Sequence, residues 1–103
     1  MTSSRIKLTL ACPQSLAEQM IEFLLDGPWL QEGFTTVAGN GHGADFANAS
    51  LREKVRGRVE IQLVTTVLPA AHLPGLLDAL RAQFKAPHTR YWTEPVQEFG
   101  DLS

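Results

Sequence analysis

The chain is predicted to fold as a ferredoxin-like α+β domain, βαββαβ, with two helices on one face of a four-stranded antiparallel sheet. Segments of period-two alternation and segments of helical periodicity follow one another in the order β-α-β-β-α-β. With both helices packed on one side of the sheet, that order is the split βαβ arrangement. Length agrees, because 103 residues support one two-layer core and little more. A domain this small is only marginally stable alone, so oligomerisation is a reasonable expectation.

Each element has its own signal. Ile6, Leu8, Leu10 and Cys12 alternate with Arg5, Lys7, Thr9 and Ala11, the pattern of a half-buried strand, and Pro13 stops it. Ser15 is placed to cap a helix, with Glu18 three residues on as in a capping box. Leu16, Met20, Phe23 and Leu24 then fall on one helical face, which Ile21 and Leu25 widen. Asp26-Gly27-Pro28 ends the helix by a glycine stop and a proline block. Gly33 to Ala38, with Phe34, Thr35, Thr36 and Val37, reads as the second strand. Trp29, Leu30 and Phe34 are expected at a corner of the core.

The third strand is the clearest: Val59, Ile61 and Leu63 alternate with Arg58, Glu60 and Gln62, and β-favouring residues continue to Val67. Pro69 suits the first turn of the second helix, although Pro74 and Gly75 leave room for a later regular start. Its stripe is Leu73, Leu76, Leu77, Leu80 and Phe84, and Pro87 ends it. Thr89 to Thr93 forms the last strand, with Tyr91 and Trp92 on opposite faces and Pro95 confining any continuation to a sheet edge. Helices on one face leave the other bare, and Arg5, Lys7, Glu60 and Gln62 are expected to line it as a wet subunit interface.

Composition narrows the function classes. A net charge of −2 and pI near 5.8 argue against general nucleic-acid binding. A single cysteine, Cys12, excludes an internal disulfide framework and fits a reducing compartment. Met1 to Lys7 has no apolar core of signal-peptide length, and no run approaches the roughly 20 apolar residues of a membrane helix. These features predict a cytoplasmic protein without membrane insertion.

The stretch from Gly33 to Arg58 is the most informative. It contains Gly39-Asn40-Gly41-His42-Gly43, a polar loop over about residues 40–57, and Glu53-Lys54-Val55-Arg56-Gly57-Arg58 at the entry to the third strand. Long loops in compact domains are uncommon and tend to carry function. Gly39 to Ala44 fits G-x-G-x-x-[GA], but that motif must open a helix inside a parallel βαβ unit, and Glu60, at the ribose-acid spacing, sits mid-strand. A dinucleotide site is therefore set aside. The glycines serve either a loop base, allowing positive φ and close approach of a ligand, or a plain turn. Arg52, Lys54, Arg56 and Arg58 recur at alternate positions. Extended, they make a basic edge that could hold phosphate or carboxylate; interleaved with Glu53 and Glu60, they read equally as a solvated face. Gly57 and the following strand fix Arg56 and Arg58, which are the pair assigned to ligand or interface contact.

No His or Cys pair has metal-ligand spacing. His42 beside Asp45 is the strongest of a weak group, and His72, His88 and Cys12 have ordinary readings as solvent positions or, for Cys12, a buried small hydrophobe. Ser50 has no local base, and no catalytic constellation appears, so an enzyme is not expected.

Phe34-Thr35-Thr36-Val37-Ala38-Gly39-Asn40-Gly41 entering the loop, Val59-Glu60-Ile61-Gln62 leaving it and the amphipathic helix that follows resemble the PII-like signalling proteins. More narrowly, Gly33-Phe34-Thr35-Thr36, Glu53 to Arg58 and Tyr91-Trp92-Thr93-Glu94-Pro95-Val96 resemble a small proteobacterial subfamily of undefined function, often encoded beside heavy-metal efflux systems. The resemblance spans nearly the whole chain and implies a PII-like fold. It also implies a homotrimer that binds a small anion, nucleotide or metal effector between subunits. The long loop would then act on a partner, for example a membrane transporter. It places Gly39 and Gly41 at the loop base, where backbone N–H groups can face an anion; the residue reading adds His42, Arg56 and Arg58 as ligand-binding candidates, with the stretch from His42 to Lys54 expected to change order on binding. The identity of any cofactor is left open. One departure concerns nucleotides. Nucleotide-binding members carry a glycine- and lysine-containing loop before the last strand, whereas Gln83 to Thr89 lacks glycine and offers only Lys85. The tail from Gln97 to Ser103 is acidic where those members are basic. Both departures argue against ATP. The alternatives are a metal-binding accessory protein using His42 and Asp45, and a ligand-free adaptor or structural oligomer.

Overall fold

A computed structural model describes residues 4–30, 32–43, 59–85 and 89–103. The elements are β1 (Arg5–Pro13), α1 (Gln14–Asp26), β2 (Thr35–Gly41), β3 (Val59–Pro69), a 3-10 turn (Ala70–His72), α2 (Leu73–Gln83) and β4 (Arg90–Val96). The four strands form one antiparallel sheet in the order β2-β3-β1-β4, the ferredoxin-like arrangement expected from the sequence.

One face of the sheet is covered. Leu8, Leu10 and Cys12 of β1 and Val64 and Leu68 of β3 pack against Ala17, Met20 and Leu24 of α1 and Leu76 and Leu80 of α2. Leu30 closes the corner with Trp29 and Phe34 partly buried against it, as expected. Phe23 and Phe84 meet edge to face at 5.5 Å and so join the ends of the two helices.

The helix ends differ from their sequence signals. Pro13 rather than Ser15 occupies the N-cap of α1, and no side-chain cap is made, so the capping box does not form. The strand runs directly into the helix at Gln14, which places Ser15 inside the first turn. Gly27 is the C-cap but keeps φ −85°, so the left-handed stop is not used. A Cβ there would come within 3.2 Å of the Phe23 carbonyl oxygen and 3.3 Å of the Trp29 ring, so close packing favours glycine at this position. Leu25 is 69% exposed and does not widen the buried stripe. In the second helix, Pro69 ends β3 instead of opening the helix; the 3-10 turn intervenes and regular helix begins at Leu73, with Pro74 in the first turn. Pro87 lies outside the described residues.

The register of β3 corrects the reading of the bare face. The β1–β3 ladder runs unbroken from Arg5 opposite Pro69 to Pro13 opposite Ile61. It pairs Gln62 with Cys12, which is fully buried against the helices, and Leu63 with Ala11. Residues directly opposite share a face. Gln62, and with it Glu60, therefore belongs to the helix side, while Ile61, Leu63 and Val67 join Arg5 and Lys7 on the open side. The first half of β3 was read inside out because the strand is apolar on both faces, and alternation alone cannot say which apolar set meets the helices.

Candidate functional site

The candidate site is built on β2, an edge strand that pairs only with β3. An edge strand leaves alternate backbone N–H and C=O groups without a partner in the sheet. Thr35-Thr36-Val37-Ala38-Gly39-Asn40-Gly41 carries no charged residue. The strand continues three residues beyond the expected end at Ala38. Gly39 pairs with Ile61, Asn40 with Glu60 and Gly41 with Val59.

This pairing settles what the glycines do locally. Neither Gly39 nor Gly41 has positive φ; among the described glycines that belongs to Gly33 (99°) and Gly43 (105°). Gly39 and Gly41 are ladder residues, two apart, that leave two successive side-chain positions on one face of the edge strand empty. Both stand in extended ladder positions rather than in a turn. The chain turns afterwards, at Gly43. His42 follows the strand and is exposed. Arg56 and Arg58, together with Arg52, Lys54, Asp45 and Ser50, lie outside the described residues. Gly41 and Val59, the last residue of β2 and the first of β3, are partners across the ladder. Among the described residues no three His, Cys, Asp or Glu side chains gather where they could hold a metal ion. Cys12 is buried, and that burial raises its thiol pKa above the ordinary value of 9.0, as suits a small hydrophobe rather than a nucleophile.

The open sheet face is the feature that sequence reasoning missed. Its middle is apolar: Ala11, Ile61, Leu63, Val37 and Trp92, with Ile61 only 8% exposed and Trp92 44%. Tyr91, opposite Leu10, faces the helices, and Trp92, opposite Thr9, faces outward, so the two rings divide as the alternation required. Charges gather toward one end. Lys7 approaches Glu94 at 3.9 Å, and Arg5 approaches Glu32 at 3.3 Å while its guanidinium stacks 4.9 Å above the Phe99 ring of the C-terminal tail. The register signal that could have revealed this face was the apolar character of both parities in β3.

Across residues 2–103 the sequence matches the family model described as protein of unknown function (DUF3240). The chain belongs to the DUF3240 family. A crystal structure of a DUF3240 family protein from Shewanella baltica OS155 is similar over the full length of both chains, with 25% identity and a TM-score of 0.72. The fold is also shared with CPII, a nitrogen regulatory PII-like protein from Thiomonas intermedia K12 whose structure holds ADP, AMP and bicarbonate. That match covers 96% of this chain and 97% of CPII at 16% identity and a TM-score of 0.68. A Bacillus cereus protein related to NIF3 contains the fold within a larger chain: 98% of this chain matches 27% of that one, at 17% identity and a TM-score of 0.69. No curated protein matches the chain. The fold of this DUF3240 member is thus PII-like. No helix among its described residues is long and apolar enough to cross a membrane.

Proposed function

We propose that this DUF3240 protein is a PII-like regulator, not an enzyme, that binds a small anionic effector in a cleft between subunits at the end of β2. The observation that carries the reading is the glycine pair on an uncharged edge strand. Gly39, half-buried, and Gly41, buried, leave the side-chain positions of the strand end empty immediately before the segment of residues 42–58, in a fold shared over nearly its full length with CPII. Backbone N–H groups there face the anion, and the guanidinium groups of Arg56 and Arg58 supply charge and a bidentate fork. The apolar centre of the open face supports assembly into a trimer, which brings a second subunit to the cleft. Residues 42–54 then report the bound state to a partner such as a membrane transporter. A ligand drives such a change only through a difference in affinity between the two states. The shortage of glycine and lysine between Gln83 and Thr89 favours bicarbonate or a nucleoside monophosphate over ATP.

Thermal unfolding against ATP, ADP, AMP, cyclic nucleotides, bicarbonate and Zn, Cu, Co and Ni ions tests this. A ligand at about 100 times its Kd adds roughly 2.7 kcal/mol, several degrees in a domain of this size. An anion from the panel is expected to raise the midpoint in wild type and to lose that effect in Arg58→Ala. A shift with metal alone, abolished in His42→Ala, identifies a metal-binding accessory protein instead. A panel with no shift rejects the effector reading and leaves an adaptor.

A further inference from the structure

A groove of about 270 Å³ opens between α2 and β4, on the helix-covered side and at the sheet edge opposite β2. Leu10, Met20, Leu77, Leu80 and Phe84 form its walls, and Tyr91 lines it from β4. Its polar groups are few. Arg81, which carries the charge of the last turn of α2, and Arg90 of β4 both line it, and no acidic residue is among its described lining. Thr89 lines it as well, and the Thr89 hydroxyl is buried without a hydrogen-bond partner among the described residues. That hydroxyl is closed off from the groove, so Thr89 supplies wall rather than a hydrogen bond to an occupant.

We propose that this groove is a second, intrasubunit site for a small amphipathic carboxylate, its chain along Leu77, Leu80 and Phe84 and its head toward the end lined by Arg81 and Arg90. Size sets the length. A volume of about 270 Å³ is well above what one or two waters occupy and accommodates a short alkyl chain. Charge sets the head. Arg81 lies 3.9 Å from Asp78 with both side chains mostly exposed, and an exposed pair of that kind yields readily to a better-placed anion. The mixture of apolar wall and few polar groups is that of small-molecule sites generally, at their lower limit of size.

The test is a proton–nitrogen NMR titration of the full chain with butyrate, hexanoate, octanoate and octanol, below micelle-forming concentrations. Saturable shifts are expected to cluster at Leu77, Leu80, Arg81, Thr89 and Tyr91. Affinity should rise about threefold to fourfold per added methylene from butyrate to octanoate. Octanoate should bind about tenfold more tightly than octanol, and Arg81→Gln, an exposed position, should reduce that difference while leaving the alcohol unchanged. Leu77→Trp should fill the groove and remove binding of both. Shifts without saturation, or spread over the open sheet face, overturn the proposal. Equal affinity for octanol and octanoate overturns the assignment of a carboxylate, and unchanged binding in Leu77→Trp overturns the groove.

Discussion

Two residues show how single positions carry the packing. Gly75 sits in the first turn of α2 under the indole of Trp29, and a Cβ there would lie 2.7 and 2.9 Å from its ring carbons. On helix propensity alone Gly75→Ala would stabilise by up to about 1 kcal/mol. The clash reverses the sign: the expected result is a loss of about 1–3 kcal/mol, read as a fall of several degrees in the unfolding midpoint. In the sequence Gly75 beside Pro74 reads only as an uncertain helix start, because nothing local says that a distant tryptophan packs on it. Cys12 gives a pH dependence. Burial raises its pKa above 9.0, so the fold holds the protonated thiol while the unfolded chain ionises first. Its contribution is fully present below about pH 9 and declines as pH rises through the folded value. Denaturant titrations from pH 8 upward should show that decline in wild type and a flatter profile in Cys12→Ala.

At the scale of elements, α1 separates neighbours by face. Leu24 is 1% exposed and Leu25 69%. Leu24→Ala should cost about 2–5 kcal/mol, while Leu25→Ala should stay within about 0.5 kcal/mol, both measured by chemical denaturation. Periodicity found the elements because each strand and helix buries one stripe, but it could not rank Leu25 against Ile21 without the position of the partner layer. The helix ends were less legible for a related reason. Ser15 and Glu18 match a capping box, yet β1 passes straight into α1 and moves the cap to Pro13. In β2, the pair Gly39 and Gly41 reads equally as a loop base or a plain turn, and pairing with Ile61 and Val59 keeps both in the sheet. Composition places glycine at the strand end but not its backbone conformation, and Arg56 and Arg58 are positions of the sequence outside the described residues.

Among the described residues the molecule is a two-layer domain whose second sheet face carries no helix, with the Lys7–Glu94 and Arg5–Glu32 pairs at one end. The expectation of a polar face follows from assigning Glu60 and Gln62 to it, and the β1–β3 register replaces them with Ile61 and Leu63. Ala11 and Ile61 are buried there, while Val37 and Trp92 stay exposed, and exposed apolar side chains of that size mark an interaction surface. Trp92→Glu on that face should lower the mass found by sedimentation to that of the single chain, with the unfolding transition retained. The central claim is that the effector cleft needs two subunits. The measurement that tests it most directly is calorimetric titration of bicarbonate and of AMP into wild type and into the Trp92→Glu protein. The account predicts saturable binding of one of them by the wild-type oligomer and none by the folded single chain. Binding of equal strength by the single chain, or of neither ligand by the oligomer, would contradict it.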